Sequence, residues 1–561
     1  MRKNKLAAAL FSAALATLAL GAGVANAASG GPGPLRPTVG TAVAFHKTQP
    51  LRDMAIIAPA ARVQADFMRQ MRSDRSLVGK VPAGTHEADG ALQNPEALSA
   101  MPAPLFTFEG PSNADNLSIF GFRVNPPDPV GDVGQHHYVA MVNLTFAIYT
   151  KTGTLLYGPA DTGTLFQGLG VPDCEEPNGD PIVVYDEIAN RWILTQFTAD
   201  GPEYWNCVAV SATPDPLGSY NTWAFSTGEY FPDYPKYGVM PEGLYITTRE
   251  FGPTVEYRIG IYAINRHQLV AGHPNPTVVS FYLVEGEDPL YLLGDGILPA
   301  DLDGKRKPPP HSPEYFAGTM DNDYVYGAPF DAVNWFEADV DFQHPENSTF
   351  GLTAQLATAP FDSNYPCAPT ARDCLPQPGV TDPNRYLDIL SYRQRPTYRL
   401  QYRNFGTHES LVTNQSVEAR PNVAGVRWYE VRSPQSPVIY QQGTYAPTDG
   451  VHRWMGSVAT DKYGNMAAGY SVVNGLDVYP GIRYAGRRPG DPLGQLSQGE
   501  ATLQNGSGSQ LTTNSRWGDY TSLNVDPRDD CTFYYINEYY AITELAAWQT
   551  RIGAFKFPSC R

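Results

Sequence analysis

A four-residue phrase occurs twice in the chain, and each copy closes a similar run of short β-rich segments. The two copies are Asp215-Pro216-Leu217-Gly218 and Asp491-Pro492-Leu493-Gly494. A sheet unit of about 40 to 60 residues with four short strands cannot bury both faces alone, so neighbouring units must stack around an axis. The repeat therefore predicts an all-β chain that folds as a single β-propeller.

The β-rich region runs from residue 105 to residue 561, and we expect it to contain seven units, with six or eight as alternatives. The units are placed near Asp128, Asp180, Asp233, Tyr315, His408, His452 and Arg516. An open ring would leave two sheet edges with unpaired backbone groups. We therefore expect Leu105-Phe106-Thr107-Phe108 to add a strand to the last unit and close the ring.

The first 27 residues have the features of a secretory signal peptide. Basic residues near the N-terminus precede an apolar run from Leu6 to Val24, and Ala25-Asn26-Ala27 forms a small-x-small cleavage site. Residues 28–104 are rich in Pro, Ala and Gly, which predicts a weakly structured arm or linker. We expect a secreted protein, extracellular or periplasmic, without a transmembrane segment, because no later stretch approaches about 20 apolar residues.

Six cysteines in an exported chain permit three disulfides, with 15 possible connectivities. None of them has the CxxC spacing of a redox or zinc site, so a structural role is favoured. Proximity along the chain pairs Cys174 with Cys207, Cys367 with Cys374, and Cys531 with Cys560.

The formal net charge of −17 argues against a nucleic-acid partner, because a duplex binder needs a basic surface to replace counterions. Aromatic residues make up 12% of the chain, and 34 of them are Tyr. They suit a surface that binds carbohydrate, but they equally suit packing between sheets. We expect a monomer that binds an extracellular glycan or a cell-surface component.

The second unit contains Asp180-Pro181, Tyr185-Asp186, Arg191-Trp192 and the first Asp-Pro-Leu-Gly phrase, and it resembles the units of sialidase-like glycosidase propellers. The segment from Thr213 to Tyr220 resembles a degenerate Asp-box, which differs from the usual motif in its spacing and terminal residue. The region from Asp128 to Cys560 is also similar to a widespread family of secreted bacterial β-propeller proteins of unassigned function. The resemblance implies a propeller fold and carbohydrate chemistry, and it transfers no catalytic residue.

Polar residues at the start of each innermost strand converge at one mouth of a propeller channel. At this mouth we predict three catalytic carboxyl groups, those of Asp519, Asp180 and Glu409. The predicted substrate-binding residues are Arg453, Arg516, His408, Asp132, Asp233 and Lys236. Asp128 also lies at such a position. A mixed set of this kind suits bidentate Arg contacts and acid/base work, although each residue could instead cap a turn or bridge two units.

Other chemistries have weaker support. Tyr429-Glu430 and Glu538-Tyr539 have the residue types of a sialidase nucleophile pair, but the abundance of Tyr explains both by chance. No cofactor is expected. Calcium is considered only as a structural ion near Asp301-Leu302-Asp303, which Lys305-Arg306-Lys307 disfavours, or in the turn Asp321-Asn322-Asp323.

Two functions follow from the sequence. The first is processing of extracellular carbohydrate at the channel mouth, by glycoside hydrolysis or by elimination. The alternative is a propeller without catalytic activity that binds a glycan, a protein or a surface component. The sequence leaves open whether the protein is an enzyme, since one fold hosts many functions.

Overall fold

The fold is mostly β, with 49% strand and 7% helix. The computed structural model describes residues 33–55, 68–70, 87–93, 100–322, 326–363, 373–389 and 394–561. The predicted signal peptide, residues 1–27, lies outside these ranges. Among the described residues, no helix has the length and apolar character needed to cross a bilayer.

Within the described ranges, the strands form seven antiparallel units of four strands each, here called units 1 to 7. Unit 1 consists of Val130–Val133, His137–Val142, Thr145–Thr150 and Leu155–Asp161. Unit 2 consists of Gly179–Asp186, Arg191–Phe197, Tyr204–Ser211 and Tyr220–Gly228. Unit 3 consists of Phe231–Val239, Gly243–Phe251, Arg258–Asn265 and Thr277–Val284.

The remaining units follow the same order. Unit 4 consists of Leu298–Asp303, Glu314–Met320, Ala332–Asp339 and Thr349–Ala357. Unit 5 consists of Thr397–Asn404, Glu409–Arg420, Val423–Arg432 and Val438–Tyr445. Unit 6 consists of His452–Thr460, Met466–Val473, Gly481–Arg487 and Glu500–Gln504. Unit 7 consists of Ser522–Val525, Thr532–Tyr540, Trp548–Lys556 and the earlier segment Phe106–Glu109.

Shorter elements lie within the units, between them and in the N-terminal arm. The short strands are Met68–Gln70, Arg123–Asn125, Asp373–Leu375 and Leu387–Asp388. The α-helices are Asn113–Phe120, Pro172–Glu175, Arg266–Val270 and Leu290–Leu293. The 3-10 helices are Leu51–Asp53, Thr162–Phe166, Pro345–Asn347 and Pro383–Arg385.

The first strand of each unit is almost entirely buried. All residues of Gly179–Asp186, Phe231–Val239 and His452–Thr460 are buried, so these strands are covered on both faces. First strands of consecutive units contact each other, and the first strand of unit 7 contacts that of unit 1. The first strands of units 4 and 5 are also hydrogen-bonded in parallel, with Ala300 opposite Leu400. The start of every first strand is therefore brought to the same end of the sheet assembly.

The strand that completes unit 7 comes from the N-terminal side of the chain. Phe106–Glu109 pairs with Trp548–Lys556, and Phe108 lies opposite Ile552. This pairing confirms the sequence prediction for that segment. Phe108 also packs against the Tyr138 ring of unit 1, with 6.1 Å between ring centroids.

The N-terminal arm, residues 28–104, was expected to be weakly structured, and its described parts correct that expectation. Thr38–Thr41 forms an outer fifth strand on unit 3, and Ala44–Lys47 forms one on unit 2. Isolated bridges join Leu35 to unit 4 and Leu92 to unit 5. The β-branched and aromatic residues of these segments favour strand pairing, and the outer edges of the units offer unpaired backbone groups.

The connection between units 4 and 5 is described at residues 358–363, 373–389 and 394–396. Its described part packs against units 6 and 7, where Leu375 and Leu387 join one apolar cluster with Trp454, Trp517 and Trp548. Asp388 N–H also donates to the carbonyl of Ser515. Arg395, from the last described part, lies at the end where the first strands begin.

Two of the predicted disulfides are confirmed, Cys174–Cys207 and Cys531–Cys560. Cys367 lies outside the described residues, so its predicted pairing with Cys374 stays a prediction. The repeated Asp-Pro-Leu-Gly phrase lies between the third and fourth strands of both unit 2 and unit 6. In the first copy the Asp215 carboxylate accepts the Leu217 N–H at 3.0 Å, which closes the turn.

The arm contributes a buried charge to unit 5, and this gives a testable prediction. The Asp89 carboxylate lies 3.0 Å from the Arg427 guanidinium, and both side chains are fully buried. Asp89→Ala leaves the guanidinium without this partner, so we expect it to lower the free energy of unfolding by about 3–5 kcal/mol. The measurement is guanidinium-induced unfolding.

The control is Arg52→Ala, which removes the half-exposed ion pair between the arm and Asp215. Exposed ion pairs contribute little, so this variant is expected to cost less than about 1 kcal/mol. Equal, small losses in both variants would show that the arm is not needed for the stability of unit 5.

Candidate functional site

Titratable side chains meet at the end of the assembly where the first strands begin. We call this group the mouth cluster. Its carboxyl groups belong to Asp128, Asp180, Asp233, Asp295, Asp519 and Glu538. Its cations and aromatic rings belong to Lys236, Arg249, Arg395, Arg516, Tyr234 and Tyr520.

The backbone turns in the same way at the start of units 1, 2 and 3. Asp128, Asp180 and Tyr234 have φ values of 48°, 41° and 53°, and each precedes a proline. These left-handed conformations cost about 1–3 kcal/mol each for residues other than glycine and persist only where the surroundings impose them. A register shift follows in units 2 and 3, where two residues of the first strand lie opposite one residue of the second. The irregular backbone directs these side chains into the mouth.

Two carboxyl groups lie at the centre of the hydrogen-bond network. The Asp128 carboxylate accepts the Asp519 N–H at 2.6 Å and the Asn143 side-chain amide at 2.6 Å. The Asp180 carboxylate accepts the Tyr520 hydroxyl at 2.8 Å and the Tyr234 N–H at 3.2 Å. Units 1, 2, 3 and 7 are therefore linked through two acidic side chains.

Glu538 lies beneath these groups. It is fully buried, and one of its carboxyl oxygens accepts the Gly518 N–H at 2.5 Å. A Cβ atom at Gly518 would lie only 2.8 Å from that oxygen, which explains why the position between Trp517 and Asp519 has no side chain. The other Glu538 oxygen has no hydrogen-bond partner among the described residues. Burial raises the pKa of Glu538 well above its usual range, which favours a neutral acid here.

Three arginines pair with carboxyl groups of the cluster. The Arg249 guanidinium lies between Asp233 at 3.4 Å and Asp295 at 3.3 Å. Arg516 pairs with Asp519 at 3.1 Å. Arg395 lies 3.8 Å from the same Asp519 carboxylate, and its guanidinium stacks 3.5 Å from the Tyr234 ring centroid.

Lys236 occupies an aromatic box. Its Nζ lies 2.9 Å from the Tyr234 ring centroid and 3.8 Å from the Tyr520 ring centroid, and it donates to the Pro235 carbonyl at 3.2 Å. Burial lowers the pKa of this amine well below its usual range. The aromatic faces favour the protonated amine, whereas burial favours the neutral one.

The acid groups of the cluster differ in their affinity for protons. Burial, and then the nearby Asp519 carboxylate, raises the pKa of Asp128 to about 7. Burial and then Asp128 raise the pKa of Asp180 well above its usual range. Asp233 also has a raised pKa because of burial, although Arg249 opposes the shift. Protonated and ion-paired carboxyl groups thus lie side by side, an arrangement that suits general acid and base chemistry.

The cluster has an outer and an inner layer. Asp519 and Asp233 are 9% and 7% exposed, whereas Asp128 and Lys236 are each 1% exposed. A ligand arriving from solvent would therefore meet Asp519 and Asp233 before Asp128 and Lys236.

Several residues predicted from the sequence converge here. The mouth cluster contains Asp519, Asp180, Arg516, Asp233 and Lys236, each of which was predicted for the site. Their roles in binding or catalysis stay predictions. Asp128, noted as an additional position, is also present.

Two predicted residues of unit 5 are not at the mouth, which corrects the sequence interpretation. Glu409 begins the second strand of unit 5, where the Tyr402 hydroxyl donates to it. His408 stacks on the Phe405 ring in the turn before that strand, with 4.9 Å between centroids. The first strand of unit 5 is instead Thr397–Asn404, whose alternating polar residues concealed it in the sequence.

Arg453 and Asp132 are also away from the mouth cluster. Arg453 follows the first residue of its strand, but its guanidinium pairs with Asp449 and Glu500, each at 2.7 Å. Glu500 belongs to the outermost strand of unit 6, so this arginine points away from the first strands. The Asp132 carboxylate accepts the Tyr185 N–H at 2.7 Å, further along the first strand of unit 1.

A second charged group lies where the first strands end. Arg399 contacts Asp301 at 3.2 Å and donates to the Asn524 side chain at 2.6 Å. Arg403 pairs with Asp530 at 2.6 Å. These pairs join units 4, 5 and 7 at the end opposite the mouth.

Sequence reasoning missed Arg249, Asp295, Arg395 and Asn143. Arg249 lies on a second strand, and the other three lie in turns or connections whose paths local patterns do not reveal. The Glu538-Tyr539 pair drew attention to Glu538, but Tyr is so abundant that the pair could not be assigned a role.

The calcium expectation stays a prediction. Asp301 and Asp303 both contact Arg399. Asp323 lies outside the described residues, and the Asp321 carboxylate accepts the Ser363 N–H at 2.7 Å. In the described part of the chain, no group of three or more His, Cys, Asp or Glu side chains is arranged to hold a metal ion.

A separate cavity of about 590 Å³ lies at the rim, between the arm and the connection that joins units 1 and 2. His46, Asp53, Thr164 and Gln167 contribute to its lining. It shares no residue with the mouth cluster.

No protein-family model matches the chain, and no curated protein is significantly similar to it. Among solved structures, an α-L-arabinofuranosidase of Fusarium graminearum is 12% identical, with 68% of this chain and 92% of that chain covered and a TM-score of 0.35. An α-L-arabinanase of Penicillium chrysogenum is 10% identical, with coverages of 66% and 91% and a TM-score of 0.34. The polysaccharide lyase Uly1 is 10% identical, with coverages of 83% and 99% and a TM-score of 0.33. Similarities at this level assign no activity to this chain.

The raised pKa of Asp128 predicts how stability depends on pH. A carboxyl whose pKa is higher in the folded state stabilises the protein fully below its unfolded value, near 4, and this contribution is lost as the pH rises through about 7. Between pH 4 and pH 7 we expect the free energy of unfolding of the wild type to fall by about 2–4 kcal/mol more than that of Asp128→Asn. Urea unfolding at several pH values measures the difference. Parallel pH profiles for the two proteins would mean that Asp128 does not titrate in this range.

Proposed function

We propose that the seven units form one closed, seven-bladed β-propeller and that this chain is a secreted protein acting on extracellular carbohydrate at the mouth cluster. The cyclic contacts of the first strands and the pairing of Phe106–Glu109 with unit 7 support the closed ring. The two described disulfides fit an oxidising compartment.

One observation carries the functional proposal. Asp128 and Asp180, whose pKa values burial raises, lie in one buried cluster with Asp519 and Asp233, which pair with Arg516 and Arg249. Glycoside hydrolysis needs this combination, since one carboxyl must donate a proton and another must act as a carboxylate. Strained backbone at Asp128 and Asp180 favours the same interpretation, because strain is concentrated at functional sites.

The proposed reaction follows from the protonation states of these carboxyl groups. In the proposed hydrolysis, a protonated carboxyl, that of Asp180, gives its proton to the oxygen of the leaving sugar as the glycosidic bond breaks. The Asp519 carboxylate assists the attack of water or stabilises the positive charge that develops on the ring. Arg249, Arg395 and Arg516 offer donors for hydroxyl or carboxylate groups of an acidic or polyhydroxylated glycan.

A role in binding without catalysis is the second candidate. It is favoured by the ion pairs that already engage Arg249 and Arg516 within the protein. A binding protein would retain the glycan and release it unchanged.

A glycan and chromogenic-glycoside panel tests the proposal, with Asp519→Asn and Arg516→Ala as the mouth variants. The matched controls are Asp530→Asn and Arg403→Ala, which disrupt an ion pair of similar burial at the opposite end. We expect turnover by the wild type and both controls, and a loss of at least about 100-fold in the mouth variants. Thermal melting checks that every variant is folded.

The other outcomes separate the two candidates. Saturable binding without turnover, lost only in the mouth variants, would support the binding protein. Turnover that survives both mouth substitutions would contradict a catalytic mouth cluster. If the panel gives neither binding nor turnover, the carbohydrate proposal fails.

A further inference from the structure

The fully buried side-chain amide of Asn143 joins the Asp128 carboxylate to the backbone of Asp180. Asn143 lies in the short turn between the second and third strands of unit 1, His137–Val142 and Thr145–Thr150. Neither the repeat pattern nor the residue type indicates a special role for it in the sequence. Its hydrogen bonds in the structure do indicate one.

The Asn143 side chain uses both of its donors and its acceptor. The Nδ2 group donates to the Asp128 carboxylate at 2.6 Å and to the Pro126 carbonyl at 2.8 Å. The Oδ1 atom accepts the backbone N–H of Asp180 at 2.9 Å. Its own backbone N–H donates to the Pro127 carbonyl at 2.7 Å.

We propose that Asn143 is a positioning residue that holds Asp128 and Asp180 in their mouth-facing conformations. Each of these residues has a left-handed backbone that needs external support. Asn143 fixes the side chain of one and the backbone of the other, and so sets the distance between the first strands of units 1 and 2. The catalytic meaning of that distance rests on the proposed function, whereas the positioning itself does not.

The positioning role requires an amide side chain at position 143. An ionised aspartate at this position would keep an acceptor for the Asp180 N–H, but it would have no donor for Asp128 or Pro126. It would also add a negative charge beside the Asp128 carboxylate. That carboxylate already faces Asp180 from unit 2, Glu538 from unit 7, and the Tyr520, Asp519 and Arg516 side chains from the connection before unit 7.

The test is Asn143→Asp, followed by the ¹³C carboxyl titration of Asp128 in protein labelled at aspartate. The Asp128 signal is assigned by its loss in Asp128→Asn. Loss of a hydrogen bond to the charged form and gain of a like charge both raise the pKa. We expect the Asp128 midpoint to rise by at least about one pH unit, a tenfold change in the protonation equilibrium.

Asn465→Asp is the matched control. Asn465 is likewise fully buried in a turn, and its side-chain amide donates to the buried Asp461 carboxylate at 2.7 Å. It lies in unit 6, between the first and second strands, at the end opposite the mouth. This variant should leave the Asp128 midpoint unchanged. An Asp128 midpoint that is the same in wild type and Asn143→Asp would overturn the proposal.

A measurement on the wild type covers the case in which Asn143→Asp does not fold. The side-chain amide protons of Asn143 should shift with the same midpoint as the Asp128 carboxyl, because one of them is donated to it. Amide signals that stay constant through that titration would also overturn the proposal.

The titration separates this proposal from the carbohydrate function, since no glycan takes part in it. A changed midpoint with no glycoside turned over would retain the positioning role and reject the function. Turnover with an unchanged midpoint would reject the positioning role and retain the function.

Discussion

The hydrogen bond from the Asp519 backbone N–H to the Asp128 carboxylate joins residues 391 positions apart in the chain. It brings the beginning of unit 1 against the connection that leads into unit 7, so the two ends of the repeat array meet at the mouth. The added strand Phe106–Glu109 makes the same junction at the outer edge. The mouth cluster therefore combines an acid group from the beginning of unit 1 with acid groups from unit 7 and the segment before it.

Burying the charged groups of the mouth cluster costs free energy, and this cost is informative about their role. Six carboxyl groups and four cations are removed from water in the mouth cluster, and buried ion pairs often contribute less than well-packed apolar groups would. The Tyr234 and Tyr520 rings and the main-chain N–H groups of Tyr234 and Asp519 offset part of that cost. The opposite end of the first strands also carries charge, but Arg399 and Arg403 are held there directly by acidic partners. The mouth also holds the fully buried amine of Lys236, whose pKa burial lowers, beside acids whose pKa values burial raises, a combination that is frequent at functional sites.

The sequence predicted much of the fold because the repeated unit is local. The Asp215 and Asp491 phrases mark the same turn in units 2 and 6, and the residues before each phrase supply the strands. The sequence pattern did not predict the first strand of unit 5, because Arg399, Gln401 and Arg403 are typical of a solvated segment, although the strand is buried. That error displaced the predictions for His408 and Glu409.

The site was harder to predict than the fold. Aspartates that start first strands, such as Asp180 and Asp233, follow the unit pattern and were found. Arg395 comes from the long connection between units 4 and 5, and its position depends on how that connection packs on Trp454 and Trp517. No local pattern contains that information, and the same holds for the turn that places Asn143.

The most direct test of the claim that the mouth acids are kept for chemistry is the free energy of unfolding of Asp180→Asn at pH 7. An asparagine oxygen can still accept from Tyr520 and Tyr234, and the substitution removes the need to hold an acid beside Asp128 and Asp233. The account predicts a stability equal to or above that of the wild type. A loss of more than about 2 kcal/mol would mean that the Asp180 carboxyl is there to hold the first strands together, and would contradict the account.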